Sequence, residues 1–129
     1  MKYSVTIDVP DLGRGVEFYR AAFGFEEAAR PFDTYAVLKT GAAELGLNEK
    51  AAGTRPAPGT DDVRRYARHW TPVHIDFHVD DFAAALARAT AAGAVCEQRF
   101  DGGPHPPVAF MSDPFGNGFC LIGRRPPAA

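Results

Sequence analysis

The side chains best suited to chemistry sit at His74, Asp76 and His78, each two residues from the next. Alternate residues of an extended strand project from one face, so two imidazoles and a carboxylate would share a surface. A carboxylate next to an imidazole favours its charged form, which suits an anionic ligand or proton transfer. The same trio also reads as polar groups facing water. Glu44 offers a further carboxylate as general base or partner of His74; a solvated strand-end glutamate is the plainer alternative. Thr6 and Asp8 lie on an earlier polar strand face and join the candidates for holding a ligand. Trp70, the only tryptophan, would give a flat surface for a ring-bearing or cationic ligand, or cover the core. His105, between two prolines in a glycine-flanked loop, could belong to a lid or face solvent.

These residues need elements to position them, and the chain supplies similar ones twice. SVTIDVPDL at residues 4–12 returns as HIDFHVDDF at 74–82, seventy positions on. Each copy alternates apolar and polar residues like a half-buried strand, then enters an apolar stripe at helical spacing. Asp11 caps the first helix and Gly24 stops it; Asp80 or Asp81 caps the second, over residues 82–92, before Gly93. Strands are expected around 2–10, 25–30, 34–39 and 43–47 in the first half. In the second they are expected at 73–79, 95–100, 108–112 and 119–122. Residues 49–72, rich in Gly and Pro with a short helix expected at 61–69, connect the halves. The tail at 124–129 is expected to fray. Asp8 and His78 are equivalent under the repeat and could form an ion pair across it.

Composition excludes several classes. A chain of 129 residues is one domain long, and 46% hydrophobic with 23% charged residues is globular. A formal charge of −2 gives no reason to expect nucleic acid or an anionic membrane. No apolar run nears the roughly 20 residues of a spanning helix, and two cysteines suit a reducing compartment. A cytoplasmic protein is expected. The nucleophile elbow, the phosphate-binding loop, the dinucleotide fingerprint and the Cys-x-x-Cys pair are all missing from the sequence.

DVPDLGRGVEFYRAAFGFE at 8–26, HIDFHVDD at 74–81 and MSDPFGNGFCLI at 111–122 resemble the vicinal oxygen chelate superfamily. That superfamily takes in glyoxalase I, bleomycin-resistance proteins, fosfomycin-resistance enzymes and extradiol dioxygenases. The resemblance implies an α+β fold of two tandem βαβββ modules forming a cupped mixed sheet with helices outside. A single domain over 1–129 would hold module 1 at about 1–50, a connector at about 51–72 and module 2 at about 73–124. It commonly implies a homodimer as well.

Metal-using relatives place a ligand on the first and last strand of each module. Carried over, these positions fall on Ser4, Glu44, His74 and Cys120, with Ser4 where a His is usual and Cys120 where a Glu is usual. A divalent ion normally takes at least three protein ligands, so no tightly held cofactor is expected. A Zn, Ni, Mn or Fe ion at Glu44, His74 and Cys120 is the alternative. The expected function is binding of a small organic ligand in a cup between modules, with antibiotic sequestration as one form. The competing expectation is a metal-dependent lyase, isomerase or dioxygenase, with Glu44 and His74 catalytic. A module with no ligand is a third.

Overall fold

A computed structural model describes residues 1–127; Ala128 and Ala129, the end of the tail, lie outside the described residues. The chain divides into two compact units, Met1–Ala67 and Arg68–Ala129. Each holds one helix and a four-stranded mixed sheet, the α+β arrangement of tandem βαβββ modules.

In the first unit, β1 (Thr6–Val9) leads into α1 (Leu12–Phe23), followed by β2 (Glu26–Phe32), β3 (Tyr35–Thr40) and β4 (Ala43–Glu49). The sheet order is β1-β4-β3-β2, with β1 parallel to β4 and the remaining pairs antiparallel. Asp11 caps α1 by accepting from the Arg14 N–H, and the Glu49 carboxylate accepts from the Leu12 N–H at 2.8 Å. Gly24 ends the helix in the left-handed region. The helix buries Leu12, Phe18, Tyr19 and Ala22 against Val9, Leu38 and Leu47. Gly15 permits the close approach: a Cβ there would meet Val9 and Leu47 at 3.1–3.2 Å.

The second unit repeats this plan with β5 (Ile75–His78), α2 (Phe82–Ala91), β6 (Val95–Phe100), β7 (Val108–Ser112) and β8 (Gly118–Ile122), ordered β5-β8-β7-β6. Asp81, not Asp80, caps α2; Asp80 instead accepts from Arg124 at 2.6 Å, which ties down the start of the tail. The buried face of α2 is mostly alanine (Ala85, Leu86, Ala89).

The connector does not stand apart. Residues 51–67 fold back on the first unit, while Arg68 to Pro72 belong to the second. The expected helix at 61–69 is not formed. The Gly53 N–H donates to the Arg64 carbonyl and the Arg64 N–H to the Thr54 carbonyl, which ties the two stretches together. Arg64 also donates to Asp8, and the Tyr66 hydroxyl donates to the Lys50 carbonyl at 2.6 Å. Those tertiary bonds outweigh a weak helical tendency in a segment flanked by Pro and Gly.

Candidate functional site

The registers define comparable rows across the two sheets. In the second, Asp76 pairs with Cys120, Cys120 with Phe110, and Phe110 with Gln98. Paired residues project from the same face, so these four side chains form a line across all four strands. His74 lies two residues before Asp76, and its Nε2 approaches Asp76 Oδ1 at 3.1 Å. Donor atoms of His74, Asp76 and Cys120 all fall within 4.8 Å of one another.

Beside this cluster opens a pocket of about 490 Å³, walled by Trp70, Phe110, Gln98, His74 and Cys120 together with Arg68 and Glu97. Arg68 donates from Nε and Nη2 to the two Glu97 oxygens at 2.7 and 3.0 Å, and from Nη1 to the His69 carbonyl. Its guanidinium stacks 3.5 Å from the centre of the Trp70 ring. Room for it comes from Gly118, where a Cβ would lie 2.8 Å from the guanidinium nitrogens.

The DPFGNG motif positions this wall. Buried Asp113 accepts from the Phe115 and Asn117 N–H groups and from Asn117 Nδ2, at 2.8–2.9 Å. Asn117 Oδ1 is thereby turned towards His69 Nε2, 2.7 Å away, and the His69 N–H donates to the Gly116 carbonyl. His69 is pinned between Arg68 and Trp70, so the turn sets where both reach the pocket.

Cys120 is buried, and its thiol is pushed above its ordinary pKa. Burial is the main cause, followed by the Asp76 charge and a hydrogen bond to Asp76. At neutral pH the group is therefore a thiol. The donor set suits zinc best. Tetrahedral zinc spaces its ligands about 3.3–3.8 Å apart, and the three donor atoms lie within 4.8 Å of one another, with His74 and Asp76 at 3.1 Å. A nitrogen–oxygen–sulfur set selects zinc over magnesium or manganese. Any such ion would have to displace the Cys120 proton.

The remaining sequence candidates are placed elsewhere. Thr6 Oγ1 shares a 2.8 Å hydrogen bond with the Tyr35 hydroxyl. Asp8 accepts from Arg64 Nε at 2.7 Å and from Asn48 at 3.3 Å, both residues of the first unit. Glu44 is half-buried on β4, opposite Lys39. Equivalence by register differs from the sequence carry-over: Gly46, not Glu44, holds in the first sheet the place of Cys120 in the second. His78 ends β5, exposed and outside the His74 cluster. His105 lines a separate hollow of about 300 Å³ with Arg99, Phe100 and Asp101. Trp70 is 75% exposed and covers no core. Sequence reasoning passed over Arg68, Glu97, Gln98 and Phe110. For Phe110 and Gln98 a signal existed, since once the strands are laid in register they fall on the row of Cys120.

A model of the glyoxalase-like domain family matches residues 4–122. The chain belongs to that family. It is similar to the CFP32 proteins of Mycobacterium bovis and Mycobacterium tuberculosis, each named as a candidate glyoxylase, with 33% identity over 123 residues. The match takes in 92% of this chain but 41% of theirs, so the chain spans about two fifths of their length. Among solved structures, a glyoxalase/bleomycin resistance protein/dioxygenase family enzyme of Burkholderia phytofirmans superposes with a TM-score of 0.66. Identity there is 21%, covering 93% of this chain and 95% of that one. A mutant of the Listeria monocytogenes fosfomycin resistance protein FosX, complexed with Mn(II) and 1S,2S-dihydroxypropylphosphonic acid, gives 0.68 at 16% identity. It covers 92% and 86% of the respective chains. These likenesses place the glyoxalase-like chain in the vicinal oxygen chelate fold. Among its described residues no helix is long and apolar enough to cross a membrane.

Proposed function

We propose that this glyoxalase-like chain binds a small, ring-bearing organic molecule in the pocket of its second unit and releases it unchanged. The observation that carries the reading is the pocket wall. Trp70 and Phe110 offer flat apolar surface and Gln98 a polar handle, in a volume ordinary for small-ligand sites. The nearby titratable groups are already committed: His74 to Asp76, Cys120 as a thiol beside the same carboxylate, and Arg68 to Glu97. Such an arrangement favours holding over turnover, as in sequestration. The homodimer and the cytoplasmic location expected from sequence go with this proposal; sedimentation as a monomer would remove the first.

The test is a ligand screen read by emission of Trp70, followed by mass spectrometry of the bound fraction. The expected result is quenching, weakened in Phe110→Ala, which keeps the fluorophore, with the compound recovered intact. Recovery of a converted product would overturn the sequestering reading.

A second reading has its own support in the convergence of His74, Asp76 and Cys120. Here the three hold a zinc ion, which when bound would supply Lewis-acid polarisation of vicinal oxygens. His74 and Asp76 would orient one another, and Cys120 would bind as thiolate. This set draws on the second unit alone, whereas the sequence expectation drew Glu44 from the first. Elemental mass spectrometry of protein purified without chelators separates the two. Near one zinc per chain, lost in His74→Ala and Cys120→Ala but kept in Glu44→Ala, favours the metal. Wild type that stays empty after incubation with zinc rejects it.

A further inference from the structure

We infer that Glu97 makes the second-unit pocket selective for uncharged planar ring compounds and closes it to carboxylates. The inference rests on the reading of that pocket as a ligand site. Among the described residues Arg68 is the one Lys or Arg in the pocket wall, and a ligand carboxylate would need its guanidinium fork. Glu97 already fills that fork with both oxygens. Nη1 of Arg68 donates to the His69 carbonyl, and one face of the guanidinium lies on Trp70. The two side chains are about a quarter exposed, 24% for Arg68 and 23% for Glu97. An incoming carboxylate would have to strip Glu97 from Arg68 and leave a second carboxylate half-buried without its partner.

The placement of Glu97 is a specific feature of β6. Cys96 pairs with Met111 and Gln98 with Phe110, so the ladder skips Glu97, which sits in a bulge. A bulge turns the extra residue out of strand alternation and re-aims its side chain. Here that side chain meets Arg68, itself seated where Gly118 leaves space. The same strand keeps Gln98 on the row facing the pocket, where its amide can bond a neutral ligand.

The charge balance agrees. Arg68 is paired with Glu97 and the His74 ring faces the Asp76 carboxylate, so among the described residues no Lys or Arg of the pocket wall is left unpaired for an anion. The ligand contacts that remain are the faces of Trp70 and Phe110 and the Gln98 amide.

Isothermal titration of the full chain with 2-naphthamide, 2-naphthoate and 2-naphthylmethylammonium tests this, since the three share a ring system and differ in charge. Wild type is expected to bind the amide at least roughly tenfold more tightly than the carboxylate. Glu97→Gln frees the guanidinium and is expected to close or invert that gap. Adding Arg68→Gln to Glu97→Gln is expected to abolish the gain for naphthoate. Wild type that binds naphthoate or the ammonium as tightly as the amide overturns the inference and leaves the pocket reading standing. So does a folded Glu97→Gln with an unchanged ratio. If none of the three probes binds wild type, the pocket reading falls, and the inference falls with it.

Discussion

Thr6, Gly46, Val37 and Ala29 form a row across the first sheet, and Asp76, Cys120, Phe110 and Gln98 form the matching row across the second. Strand order and the parallel pairing are the same. In the first sheet the Tyr35 hydroxyl lies over Gly46, where a Cβ would be 2.1 Å away, and bonds to Thr6. In the second that place holds a thiol and a carboxylate, and the close approach over glycine moves to Arg68 above Gly118. Even the bulge recurs, with β2 slipping register between Glu27 and Ala29, where β6 slips around Glu97. The comparison teaches that backbone register belongs to the scaffold, whereas the side chains on one row decide whether the face is plugged or chemically equipped.

The largest effect expected from perturbing this pair lies in what the units share. Leu47 and Leu121 occupy the same place in the two rows next along, and both are fully buried. Leu47→Ala and Leu121→Ala are each expected to cost about 2–5 kcal/mol in urea unfolding. Similar losses would extend the equivalence into the cores, and a loss below about 1 kcal/mol at one site would break it.

Next in size is Asp113→Ala, which acts on the second unit alone. It strands the Phe115 and Asn117 N–H groups and is expected to cost about 2–3 kcal/mol. Because His69 hangs on Asn117, the same change should shift the emission of Trp70. Unchanged emission would detach the turn from the pocket wall.

Gly46→Cys imports the second-unit residue into the first row. The side chain must expel the Tyr35 hydroxyl from Thr6, at about 1–2 kcal/mol. A neutral result would mean that Tyr35 is no plug.

The smallest expected effect concerns reactivity and not stability. Burial and Asp76 both disfavour the Cys120 thiolate, so iodoacetamide should reach full rate there only above the pH usual for a thiol. Asp76→Asn removes the negative charge and should move that profile to lower pH, though burial keeps it above that of an exposed thiol. A profile that stays put would take Asp76 out of contact with Cys120.

The fold was legible because it rests on local patterns. Asp11 and Gly24 bracket α1, alternation marks β1 and β5, and the repeat doubles each signal. The site was legible in part. His74 and Asp76 share a face by spacing alone, and Cys120 came from the family pattern. That Cys120 lies opposite Asp76 requires the parallel register of β5 on β8, which no local signal encodes. Glu44 was placed at a repeat-equivalent point from motif alignment, while the register sets Gly46 there. Arg68 and Glu97 were unreadable because a bulge and a missing Cβ put them together, 29 residues apart in the chain. The connector helix failed because Arg64 found tertiary partners in Thr54 and Asp8.

The division between Ala67 and Arg68 bears on how the chain folds. The parallel pair that closes the first sheet joins positions 40 residues apart, as the Asn48–Asp8 contact does. The Arg124–Asp80 contact at the rim of the second sheet spans 44. Loop-closure entropy rises only slowly at such lengths, and the remaining ladders are hairpins. Neither sheet needs a strand from the other to complete its ladder. A chain emerging from the ribosome can finish its first sheet before β6, β7 and β8 of the second have emerged.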